Sequence, residues 1–173
     1  KGATMTGVDL TDADLRPGAL VSTQNAPVDL SDTNLDNSKF DQAKMDNAKV
    51  RNASLKNASM RGMQANSVDF SGADLEGAHM EKAKLKNVDL TGANMENAHV
   101  ENADFTGANM RGTVLAGVDL STADLRETKV SKGAGKLPVE VQKMLARHAT
   151  WADSGGTEGE RASFRDMDMR GVD

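Results

Sequence analysis

The chain has 173 residues, a formal net charge of -5, no cysteine and no tyrosine; 38% of its residues are hydrophobic but only 3% are aromatic. Those values exclude a disulfide framework and a thiolate metal centre, and they leave Leu, Met, Ala and Val to build any core. The repeat region Lys1–Val130 carries 19 acidic and 14 basic residues against 7 of each from Ser131 to Asp173, and this acidic balance argues against a nucleic-acid partner, which needs clustered Lys and Arg.

The first element fills residues 1–130. From Leu30 to Val130 a large apolar residue occupies 20 of 21 positions at a spacing of five, the one miss being Ala65. Two residues earlier stands a small or β-branched side chain such as Ala43, Ala73 or Val118. Neither a helix nor an ordinary strand keeps this beat, so the element is a repeat architecture. The large residue and the small one two before it share a face, as side chains at i and i+2 do. Two residues after the large one, Gly or Asn stands in 14 of 18 repeats between Asp32 and Gly117, which suits a left-handed corner. Each unit is therefore a very short strand plus a corner, and four units close a square coil of about 20 residues around a narrow interior. The expected core includes Phe40, Met45, Leu55, Phe70, Leu75, Leu85, Leu90, Phe105, Leu115 and Leu120.

Charges support that coil length. Asp29, Lys49 and Asp69 alternate in sign at 20-residue spacing, as do Asp36, Lys56, Glu76 and Asp41, Arg61, Glu81. Residues stacked about 4.8 Å apart on neighbouring coils gain from opposite charge. Two places break the rhythm. Residues 16–27, with Pro17, Pro27 and a polar Asn25 in the large position, read as an irregular coil or protruding loop. Gly62-Met63-Gln64-Ala65 exchanges the large and small positions, which keeps volume but predicts a local kink or a notch. Asn25 and Ala65 fall on one face if no insertion separates them.

Beyond the repeats, residues 131–137 read as a linker. Pro138 opens an expected helix over 138–152, with Val141, Leu145, His148 and Trp151 on its packing stripe, capping or connecting the coil. Residues 153–161 form a Gly-rich turn, and residues 162–173 resume the repeat. The chain starts and stops inside repeats, so a fragment of a longer protein is expected. No signal peptide and no membrane span is visible, and a cytoplasmic location is expected.

The units Ala73-Asp74-Leu75-Glu76-Gly77 and Ala103-Asp104-Phe105-Thr106-Gly107 resemble the A-(D/N)-L-x-x pattern of the pentapeptide-repeat family. The resemblance covers Ala3 to about Val130 and implies an all-β solenoid, a right-handed quadrilateral β-helix, here joined by a short α-helix near the C-terminus. The chain departs from the pattern in its many Met centres, which fill an irregular core.

No nucleophile–base pair and no phosphate-binding loop is present, so no catalytic residue, no cofactor and no enzymatic activity is expected. One constellation stands out. His79 and His99 are 20 residues apart and stack on one face; Glu81 and Glu101 flank them, and Glu76 and Glu96 lie around the corner. Here the sign alternation stops and like charges accumulate, at a cost in stability. These six residues are the candidate partner-binding strip, and His79, His99, Glu81 and Glu101 are weak candidates for a divalent cation. The basic belt Lys44, Lys49, Arg51, Lys56 and Arg61 reads as ladder partners for the acidic coils. The expected function is a non-enzymatic protein-interaction or scaffold module. The resemblance also implies an alternative, a mimic of B-form DNA that binds a type II topoisomerase such as gyrase. Self-association through the β-helix ends is a further possibility, because unpaired coil edges invite pairing.

Overall fold

A computed structural model describes residues 2–16 and 27–129. The expected linker, helix and resumed repeats after residue 130, with Val141, Leu145, His148 and Trp151, lie outside the described residues, as does Asn25.

The described chain is a coil of four faces. Parallel bridges join residues 20 apart: Asn34, Ser54, Asp74, Asn94 and Val114 on the first face; Lys39, Ser59, His79 and His99 on the second; Lys44, Gln64, Lys84, Asp104 and Asp124 on the third; Asp29, Lys49, Asp69, Asp89, Asn109 on the fourth. The first turn departs from this register. Thr4, Asp9 and Asp14 pair with Asn34, Lys39 and Lys44, which are 30 residues on, whereas Asp29 pairs with Lys49, 20 residues on. Ten extra residues therefore enter between Asp14 and Asp29. The irregularity expected at 16–27 is an insertion, and the alignment of Asn25 with Ala65, which required none, does not hold.

Each five-residue unit satisfies its backbone by one scheme, seen at Ala73–Ala78. The Leu75 N–H donates to the Asn94 carbonyl on the next coil (2.6 Å) and the Gly77 N–H to Glu96 (2.9 Å). The Asp74 N–H reaches back to Ala53 on the coil below (2.9 Å), and the Ala78 N–H closes the corner on Leu75 (3.0 Å). The fifth donor, the N–H of Glu76, goes to the Asp74 carboxylate (3.2 Å). That last bond explains the Asp or Asn before each large residue: it is an Asx cap on the corner. Where the position holds Ser54, Ser59 or Gln64, the cap comes from the coil below, as Asp36, Asp41 and Asp46 accept from the N–H groups of Lys56, Arg61 and Asn66.

All 18 corner residues from Asp32 to Gly117 have positive φ, including Gln42, Ser67 and Lys82, which are neither Gly nor Asn. The core is one continuous column, in which Phe40, Met45, Leu55, Phe70, Leu75, Leu85, Leu90, Phe105, Leu115 and Leu120 are all buried. Met63 and Ala65 are both fully buried, and the ladder runs unbroken through Lys44, Gln64 and Lys84. The exchange of sizes produces neither kink nor notch, because the Met side chain reaches the volume that Ala65 leaves unfilled.

Candidate functional site on the second face

The structure brings the six candidate residues onto adjacent surfaces. His79 and His99 are ladder partners on the second face. Their rings are stacked, with centroids 4.6 Å apart and planes within 5° of parallel. Glu76 and Glu96 lie on the corner leading into this face, and Glu81 and Glu101 on the corner leading out of it. His79 is half-buried and His99 is exposed.

The two corners are built alike in their lower coils. On the entry corner Lys56 Nζ bridges Glu76 (2.9 Å) and Asp74 (3.0 Å), and Ser54 donates to Asp36 (2.5 Å). These carboxylates, Glu76 before Asp74, hold the Lys56 ammonium well above its usual range. On the exit corner Ser59 donates to Asp41 (2.6 Å) and accepts from Arg61 (2.7 Å), while the Arg61 Nε donates to Glu81 Oε1 (3.3 Å). The same Oε1 lies 3.3 Å from His79 Nδ1, and the other carboxylate oxygen, Oε2, is buried without a partner. Burial pushes the Glu81 carboxyl up, but hydrogen bonds from its own backbone N–H and from His79, with the charge of Arg61, bring it below its usual value.

One coil higher the pattern stops. Glu96 and Glu101 sit above Glu76 and Glu81, and above them in turn stand Ala116 and Ser121 rather than cations. Among the described residues neither carboxylate has an ion pair. The like-charge strip is thus half neutralised: Glu76 and Glu81 are taken by Lys56 and Arg61, and the unpaired charge concentrates at Glu96 and Glu101. The basic belt does serve as ladder partners, since Arg51 pairs with Asp69 as well. Sequence reasoning missed the part played by Ser59 and Asp41; the signal was their spacing of 18 residues, which only the corner geometry makes a contact.

No group of three or more His, Cys, Asp or Glu side chains among the described residues is placed to hold a metal ion. No helix among them is long and apolar enough to cross a membrane.

Fold and site together define a four-sided β-solenoid that presents charged ladders. The model of the family described as pentapeptide repeats matches in 8 copies over residues 28–62, 66–102 and 93–131, more than half of the chain. The chain belongs to the pentapeptide-repeat family, and its coil is that family's right-handed quadrilateral β-helix. No curated protein matches it significantly. Among solved structures, the chain is similar to Rfr23, a pentapeptide repeat protein from the cyanobacterium Cyanothece 51142, at 25% identity, covering 76% of this chain and 86% of that one with a TM-score of 0.42. It is similar also to HetL, involved in heterocyst differentiation regulation in Nostoc sp. strain PCC 7120, at 21% identity over 75% of this chain and 60% of HetL, with a TM-score of 0.40. The chain thus spans less than two thirds of HetL. A trypsin-treated form of QnrB1, a plasmid-mediated fluoroquinolone resistance protein, is 20% identical over 80% of this chain and 84% of its own, with a TM-score of 0.38.

Proposed function

We propose that this β-helix is a non-catalytic docking module, and that a basic surface of another protein binds the second face across its two acidic corners. The observation that carries this reading is the break in charge alternation at Glu96 and Glu101. Every lower position on these corners is balanced by a cation or by a backbone N–H, whereas these two carboxylates are left to repel the Glu76 and Glu81 beneath them. A surface that gives up ladder stability in this way has its charge available to a partner. The face itself is flat and rigid, because every coil is pinned to the next by the same backbone ladder, so a partner pays little to order it.

The test is affinity capture from host lysate with the native chain and with the Glu96→Lys/Glu101→Lys variant, followed by titration of any captured protein in purified form. A partner that binds the native chain and loses at least about tenfold with the variant, a change of about 1.4 kcal/mol, supports the reading. Equal binding by both proteins overturns it. Recovery of a type II topoisomerase would identify the partner as the one the DNA-mimic alternative requires, and a supercoiling assay would then decide between a scaffold and an inhibitor.

A further inference from the structure

We propose that His79 and His99 form a two-imidazole chelate for a borderline divalent transition ion of the zinc or nickel class, with Glu81 as the carboxylate that orients His79. Three observations carry this assignment. First, adjacent coils hold the two rings with centroids 4.6 Å apart. Two nitrogens of a tetrahedral site at 2.0–2.1 Å from the metal stand about 3.3 Å apart. A modest tilt of each ring about its own χ2 brings the outer edges to that separation, and the exposure of His99 leaves room for it. Second, the inner nitrogen of His79, Nδ1, faces Glu81 Oε1 at 3.3 Å, and Arg61 pins the same oxygen at 3.3 Å. A carboxylate on one ring nitrogen fixes the tautomer that leaves the lone pair on the other, the arrangement found behind metal-ligating histidines. Third, Glu81 Oε2 is buried with no hydrogen-bond donor. A lone pair left unsatisfied there is the local electrostatic demand that an added positive charge meets.

The donor set also states which ions fit. Two imidazole nitrogens with solvent completing the sphere suit zinc, nickel or copper; calcium and magnesium require several oxygens and have no such set here. This inference does not rest on the docking reading. It uses the rings of the face, whereas docking uses the upper carboxylates of its corners.

The experiment is calorimetric titration of the untagged chain with zinc chloride, nickel chloride and calcium chloride, with the melting temperature read in parallel. The native chain should bind one zinc or nickel ion at micromolar concentration, gain melting temperature with it, and give no heat with calcium. His79→Ala/His99→Ala should abolish the zinc heat while melting as the metal-free native chain does, since both side chains lie outside the core. Glu81→Gln should weaken zinc binding by about 10- to 100-fold. His148→Ala and Glu96→Lys/Glu101→Lys should bind as the native chain does. Absence of zinc heat from the native chain, or zinc binding that survives His79→Ala/His99→Ala, overturns the proposal.

Discussion

Two glycine corners separate the cost of backbone conformation from the cost of a contact. Gly92 has φ +66°, and a Cβ built there meets nothing within 4 Å. Gly77 has almost the same φ, +63°, but a Cβ there comes 2.5 Å from Asn57 Oδ1 on the coil below. Gly92→Ala therefore reports the left-handed backbone alone, about 1–2 kcal/mol. Gly77→Ala carries that cost and in addition displaces the Asn57 side chain. Because the obstructing atom is the end of a movable amide, the added cost is on the order of 1 kcal/mol rather than the larger penalty of a backbone clash. Urea unfolding of the two variants measures both costs, with coincident circular dichroism and fluorescence-probe transitions as the check that one cooperative unit unfolds. The contact disappears in an Asn57→Gly background, where Gly77→Ala should fall to the Gly92→Ala value. A neutral Gly92→Ala would refute the corner conformation, and equal costs at both sites in the native background would refute the stacking of Asn57 over Gly77.

Phe70→Ala removes a fully buried ring from the middle of the column and should cost about 3–5 kcal/mol, read as a drop in urea midpoint; a loss under 1 kcal/mol would mean the core is not close-packed there. Glu96→Lys places a cation above Glu76 and restores the alternation begun by Asp36 and Lys56, so it should raise stability by about 0.2–1 kcal/mol in low salt, an effect that 1 M salt should erase. A stability loss on that change would count against the ladder argument that marks the corner. Stability should also fall with acid. Asp124 is held below its usual 3.8 first by the Arg126 side chain, and Glu81 below 4.5 by the bonds described above, against its burial. Carboxylates depressed in the folded state contribute fully above their unfolded values and lose that contribution as pH drops through the folded ones. The melting temperature should therefore decline steadily below about pH 4.5, and a constant value down to pH 3 would contradict these pairings.

The arrangement of charge shows how local and long-range causes divide. The sequence pairs Asp41, Arg61 and Glu81 by sign, and the structure agrees, yet it uses them differently. Asp41 spends its carboxylate on the Arg61 backbone N–H and on Ser59, and only the Arg61 side chain reaches Glu81. Sign and spacing were readable; the competing backbone donor was not, because it is invisible until the corner places an N–H beside the carboxylate. The same holds for Asp69, a ladder neighbour of Lys49 whose carboxylate is taken by Arg51 and Ser71 instead.

The sequence by itself determined the coil. A five-residue beat of large and small side chains, with Gly or Asn at the corners, leaves a chain no other way to bury its apolar residues while returning every donor and acceptor to a neighbour. It determined as well that His79 and His99 stack, since stacking follows from the period alone. Only the tertiary structure decided the ten-residue offset between Asp14 and Asp29, which changes the register of the first turn, and the quiet packing of Met63 against Ala65. It alone decided which carboxylates are neutralised and which remain available. Those outcomes depend on how side chains from separate coils compete for the same few donors, and that competition exists only once the coils are stacked.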